Sequence, residues 1–214
     1  MTTIRLINDN NISDSDFQTL TKGVAQYVPL VTKAWGIRDV TVVGGGTPVA
    51  GDWLIYLTEK NRHLGAAGYH TVLNGVPVAY CSPNNSYYMF GRYSKALIVK
   101  GKTIHGAVYR SGLLGTICHE VAEMLCDPYI KTVSAIDSQG RKWLVEVGDH
   151  VFGSYKLEII DGQNCVLPDC TTPAFYDLNG KAPFSIFGAA TAPFTMTPNG
   201  YAYSVDATGK FTKI

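Results

Sequence analysis

Gly112-Leu-Leu-Gly-Thr-Ile-Cys-His-Glu-Val-Ala-Glu-Met-Leu-Cys-Asp-Pro128 reads as one helix whose faces differ sharply in chemistry. At 3.6 residues per turn, each residue advances by about 100°. With His119 at zero, Glu123 falls near about 40°, Thr116 near 60°, Asp127 near 80° and Glu120 near 100°. Leu114, Ile117, Val121, Met124 and Leu125 gather on the other side, around roughly 140–240°. The helix therefore carries one apolar face for a core and one narrow face of histidine and carboxylates. Ser111 suits the N-cap. Asp127-Pro128 ends the helix, because a residue before proline avoids helical backbone.

The narrow face is the pattern His119-Glu120-x-x-Glu123. His119 and Glu123 lie one turn apart, so both reach a single cation. Glu120 stands beside them, where a general base for water activated by a metal belongs. The familiar zinc-protease helix has histidine where this chain has Glu123. Asp127 lies two turns from His119, about 12 Å along the axis, and cannot share their ion. A third ligand must come from elsewhere. Lys142-Trp-Leu-Val-Glu-Val-Gly-Asp149 reads as a strand ending in a glycine turn, and it supplies Glu146 and Asp149. Alternation puts Glu146 on the face opposite Val145 and Val147. His70 and His150 are the lesser candidates, since an isolated histidine is more often a hydrogen-bonded structural residue. The plain alternative for the whole pattern is an amphipathic helix with a solvated charged face.

Several fragments together resemble a family of bacteriophage and bacterial proteins with a zincin-like, metallopeptidase-like core. They are His119-Glu120-Val-Ala-Glu123-Met-Leu-Cys-Asp127-Pro128 with Glu146-Val-Gly-Asp149, Leu64-Gly-Ala-Ala-Gly-Tyr-His70, Gly75-Val-Pro-Val-Ala-Tyr80 and Lys33-Ala-Trp-Gly36. Val166-Leu-Pro168 and Pro193-Phe-Thr-Met-Thr-Pro-Asn-Gly-Tyr201 complete the series, in order along most of the chain. Asp149 is followed by His150 where the family pattern has proline. The resemblance implies a divalent metal, zinc foremost with calcium as the alternative, held by His119, Glu123 and Glu146 or Asp149. It implies Glu120 as the base of a peptide-bond hydrolase. It also makes Val76–Cys81 the edge strand of the cleft, where a substrate peptide adds as a strand against Val78 and Tyr80. The other reading from the same resemblance is a catalytically inactive virion-associated structural protein, located in the host cytoplasm or the virion.

Composition bounds the partners. The 214 residues are 46% apolar and 16% charged, with 13 Tyr, 22 Gly, 10 Pro and a net charge of +1. That balance gives no electrostatic reason for nucleic acid or an anionic membrane. No apolar run reaches spanning length, and no signal-peptide pattern opens the chain, so secretion is not expected. The five cysteines form no CxxC pair, which argues against a thiolate zinc site. Few charges and many tyrosines suit a surface partly covered by neighbouring proteins.

Periodicity predicts an α+β fold with a mixed or antiparallel sheet. Residues 14–35 form an apolar-striped helix capped by Ser13 or Asp14 and ended by Gly36, with Pro29 predicting a kink or break. Strands are expected at 39–43, 53–58, 76–81 and 131–136, with a hairpin over 155–167. Residues 83–93 read as an aromatic contact loop or lid. The organisation is a metal-site domain over 1–170 and a Pro-rich, β-rich arm over 171–214 ending in a hairpin. Such an arm wraps its own domain or docks on a partner.

Overall fold

In the computed structural model, residues 1–59, 66–84, 88–99, 102–134, 136–206 and 208–214 are described. In chain order the elements are β1 (Thr2–Asn8), α1 (Asp14–Trp35), β2 (Val40–Gly44), β3 (Trp53–Leu57), β4 (Gly68–Leu73), β5 (Val76–Cys81), β6 (Arg92–Val99), β7 (Lys102–Arg110) and α2 (Leu113–Cys126). They continue with β8 (Lys142–Trp143), β9 (Tyr155–Ile160), β10 (Gln163–Pro168), β11 (Tyr203–Val205) and β12 (Phe211–Lys213). The fold is mixed α+β, with two α-helices among the described residues. No helix among them is long and apolar enough to cross a membrane.

Five strands form the main sheet in the order β2-β1-β3-β5-β4. The first four neighbours run parallel, and β4 closes the edge antiparallel to β5. Alternation sends Ile4, Leu6, Ile55, Leu57, Ala79 and Cys81 into the core, because successive side chains of a strand point to opposite faces. The two helices join that core from α1 through Leu20, Val24, Tyr27 and Val31, and from α2 through Leu114, Ile117 and Val121. Gly23 permits the close crossing of the helices, since an added Cβ would stand 2.7 Å from Leu114 Cδ1.

Helix α1 follows the sequence expectation closely. The Ser13 side chain accepts from the Asp16 N–H, and Gly36 ends the helix in the left-handed conformation at φ 68°. Helix α1 runs unbroken through Pro29. Pro29 and Ala25 are both exposed, so the carbonyl deprived of its partner faces water rather than the core.

Other sequence expectations are corrected. The strand Val76–Cys81 is not the sheet edge, because β5 pairs with β3 on one side and β4 on the other. The edge belongs to β4, joined to β5 by Asn74-Gly75, both at positive φ, as a two-residue hairpin turn requires. The strand expected over 142–147 shrinks to Lys142–Trp143. The Glu146 N–H then donates back to the Leu144 carbonyl at 3.0 Å, and residues 149–151 form a short 3-10 turn. The cap of α2 is Gly112, not Ser111. The first helical N–H groups instead find the carbonyls of the aromatic loop, Leu113 N to Tyr88 O at 2.8 Å and Leu114 N to Met89 O at 2.9 Å. Residues 85–87 of the expected loop lie outside the described residues; Met89 and Phe90 pack against the molecule's own core.

Where a strand is expected over 131–136, the described residues supply only an isolated bridge, Val133 to Leu144. The hairpins β9–β10 and β11–β12 form where expected.

The segment from 171 onward wraps its own chain. Phe175, Tyr176, Ala190 and Ala202 join the same hydrophobic core as the sheet and helices. Strand β11 pairs with β8. The buried Asp169 carboxylate fastens the segment by accepting from Ser185 Oγ at 2.7 Å, Phe187 N at 2.8 Å and Ala189 N at 3.0 Å. All five cysteines are free.

Candidate metal centre

The polar face of α2 is not solvated. Glu120 is 5% exposed and Glu123 4%. The helix buries its carboxylates as well as its leucines, which overturns the plain reading of a solvated amphipathic helix. A buried carboxylate needs hydrogen-bond partners, a counter-charge or a metal. The structure brings two histidines and two further carboxylates to these two.

His119 Nε2 stands 3.1 Å from Glu123 Oε1 and 3.2 Å from Asp149 Oδ1. Both are hydrogen-bond separations, slightly shorter than the roughly 3.3–3.6 Å between two ligand atoms of one tetrahedral ion, and Asp149 falls outside both groups whose ligand atoms gather within 4.8 Å. The Asp149 main chain is pinned from the arm by the Tyr201 N–H donating to its carbonyl at 3.0 Å. The Tyr201 hydroxyl stands by its carboxylate. The His119 ring lies against Gly148, where any side chain would overlap it. Phe152 meets the ring edge-on at 6.1 Å.

His70 arrives from the edge strand. Its register partner in β5 is Ala79, and that of Gly68 is Cys81. Directly paired residues share a sheet face, so Gly68 and His70 face α2 with Ala79 and Cys81. The absence of a side chain at Gly68 makes room for Glu120 and Thr116. His70 Nδ1 then lies 3.3 Å from Glu123 Oε2 and 3.5 Å from Glu120 Oε2, and its Nε2 lies 4.0 Å from Glu146 Oε2. His70 was the lesser candidate from sequence. The Asn74-Gly75 turn is the signal that finds it: counting back from that hairpin pairs His70 with Ala79 under the motif helix.

Each carboxylate is displaced from its ordinary acidity. Burial, reinforced by Glu123, pushes Glu146 up to about 9. Burial also raises Glu120 and Asp149, and the histidines counter it only in part. For Glu123 burial acts the same way, but His119 and His70 outweigh it and hold the carboxyl well below the usual range. Burial works against charge on His70, yet Glu120 and Glu123 raise it to about 11.

Other predicted residues lie elsewhere. Val78 is buried at 1% exposure. Tyr80 stacks between Tyr56 at 5.5 Å and Tyr69 at 5.3 Å. Both alternate with Ala79 and Cys81, so they sit on the sheet face away from α2 and do not line the cleft. His150 is fully buried and stacks on Trp143 at 5.5 Å, with Nδ1 3.2 Å from the Tyr176 hydroxyl. Burial pushes it down to about 4 and keeps it neutral. Its role is packing. Asp127 holds the turn after α2, accepting from Lys131 N and Thr132 N.

The cluster forms the floor of a cleft of about 630 Å³. Its walls are β4 on one side and Phe152, Tyr155 and Tyr201 on the other. His70, Glu123 and Glu146 each bring a ligand atom into one group, and His119, Glu120 and Glu123 into another. Either group has the donors to hold a metal ion.

Comparison of the chain with protein-family models, with curated proteins and with solved structures finds no match.

Proposed function

We propose that this protein is a metal-dependent hydrolase, acting on peptide bonds through a zincin-like site. The observation that carries the reading is His119 Nε2 held between Glu123 Oε1 and Asp149 Oδ1 on the floor of the cleft. His119, Glu123 and Asp149 would hold the ion. Imidazole donors favour zinc over calcium, which takes oxygen ligands. A bound zinc ion supplies Lewis acidity, lowering the pKa of water and polarising a carbonyl.

The chain's own groups do the rest. Glu120 sits beside the ligands with its proton affinity raised by burial, which suits a general base near neutral pH. It takes a proton from water and returns it to the leaving amine. Tyr201 steadies Asp149 and closes one wall of the cleft. Strand β4, at the edge of the main sheet among the described residues, gives an extended peptide a strand to pair with. Two features that favour virion assembly in the sequence turn inward: Met89 and Phe90 of the aromatic loop pack on this chain's own core, and the arm pairs with β8.

Elemental analysis of the purified chain should find bound divalent metal, with zinc dominant. A quenched-fluorescent peptide library should be cleaved by the wild type and not by Glu120→Gln, which keeps its metal. Absence of metal in protein prepared without chelator sinks the proposal. Loss of metal in Glu120→Gln makes Glu120 a ligand and removes it as the base.

A further inference from the structure

The two ligand groups share one residue. Glu123 turns Oε1 toward His119 at 3.1 Å and Oε2 toward His70 at 3.3 Å. A carboxylate with each oxygen facing a different imidazole is placed as a bridge rather than as the ligand of one ion. On the His70 side, His70, Glu123 and Glu146 have ligand atoms all within 4.8 Å of one another.

The second observation is a set of polar atoms without partners. His70 Nε2 and Glu146 Oε2 are buried, stand 4.0 Å apart and make no hydrogen bond. The His70 side chain is 5% exposed. Buried polar atoms are rarely left unpaired, and those that are call for an ion or a ligand. Both belong to the group that Glu123 completes, and both residues line the cleft.

Charge counting agrees. Glu120, Glu123, Glu146 and Asp149 are all buried here. Fully ionised, they carry four negative charges. One divalent ion leaves two uncompensated where water cannot screen them. Two divalent ions balance the set with both histidines neutral. Paired metal sites place their ions about 3.5–4 Å apart, a separation that a carboxylate spans.

We propose that the cleft holds two divalent ions bridged by Glu123, the first with His119 and Asp149, the second with His70 and Glu146. The inference rests on the metal-site reading above and extends it. The second ion offers the substrate carbonyl or leaving group a positive charge of its own, and Glu120 is the one carboxylate of the four left for proton transfer.

Titration of chelator-treated full-length protein with Zn²⁺, followed by calorimetry and elemental analysis after desalting, should give two ions per chain. Titration with Mn²⁺ should give the exchange-coupled electron paramagnetic resonance signal of a bridged pair. Glu146→Gln, which preserves volume, and His70→Asn should each reduce the count to one and abolish the coupling. One ion in the wild type, unchanged in Glu146→Gln, overturns the two-ion centre and leaves the single-ion hydrolase standing, with His70 a protonated partner of the carboxylates. No ion in the wild type overturns both. If the variants fail to fold, the wild-type count and coupling decide alone.

Discussion

Gly148 lies so close to His119 that a single carbon added to it would overlap the imidazole ring. The contact ties the segment after β8 to the motif helix and fixes the direction in which His119 presents Nε2. Gly148 has φ −83°, which alanine adopts without strain, so Gly148→Ala acts through the ring alone. Displacing a ligand's support weakens metal binding by roughly 10–100-fold. Competition against a chromogenic chelator should show that loss, with the unfolding midpoint of the metal-free protein almost unchanged. Undiminished affinity would show that the ring does not depend on Gly148.

Removing metal should destabilise the protein. An ion that binds only the folded state adds RT ln(1 + [L]/Kd), about 4 kcal/mol at a thousandfold excess over Kd. For a chain of this length that corresponds to a midpoint shift of roughly 8–16 °C. Calorimetric scans with saturating Zn²⁺ and with chelator should differ by an amount in that range. Superimposable scans would contradict any metal at the cluster.

The capping of α2 gives a paired test. A Cβ on Gly112 would overlap the Tyr88 carbonyl and the Gly91 amide, the loop that receives the first helical N–H groups. Gly112→Ala should cost roughly 2–4 kcal/mol in urea unfolding, as buried steric conflicts do. Ser111, the cap expected from sequence, makes no cap bond. Ser111→Ala should cost no more than about 1 kcal/mol. Equal effects would argue against capping by the loop.

Asp137 supplies a pH prediction away from the cleft. Its carboxylate accepts from Gln139 N, Arg141 N, Arg141 Nε and the Trp143 indole N–H, all at 2.8–2.9 Å. Burial opposes its charge, but the Arg141 backbone and side-chain bonds and the indole bond outweigh it and lower the pKa. A carboxylate depressed in the folded state stabilises above its unfolded pKa of about 3.9 and loses that stability as pH falls through the folded value. Asp137→Asn should cost about 2–3 kcal/mol at neutral pH. Below about pH 4 the gap to wild type should narrow. A gap independent of pH would mean that the charge contributes nothing.

His119, Glu120 and Glu123 were legible because all three lie on one helix, where a fixed angle per residue decides which side chains share a face. Asp149 was legible as a candidate by type and position, though its partner Tyr201 was not. The placement of His70 came only from pairing. Nothing next to it in sequence distinguishes it from any strand histidine, and its role depends on β4 being the antiparallel edge beside α2. The same ignorance of strand order put Val78 and Tyr80 at the cleft, when alternation turns them to the other face.

By itself the sequence determined the local geometry: the helix of the motif, its His-Glu spacing, the caps of α1, and the hairpin over 155–167. These follow from dihedral preferences and residue spacing, which act over a few positions. The tertiary structure alone decided that the carboxylate face is buried, that His70 and Glu146 complete it, and that Glu123 stands between two histidines. Those outcomes depend on strand order and on contacts between residues far apart in the chain. The free energy of burying four carboxylates together exists only once the fold has closed around them.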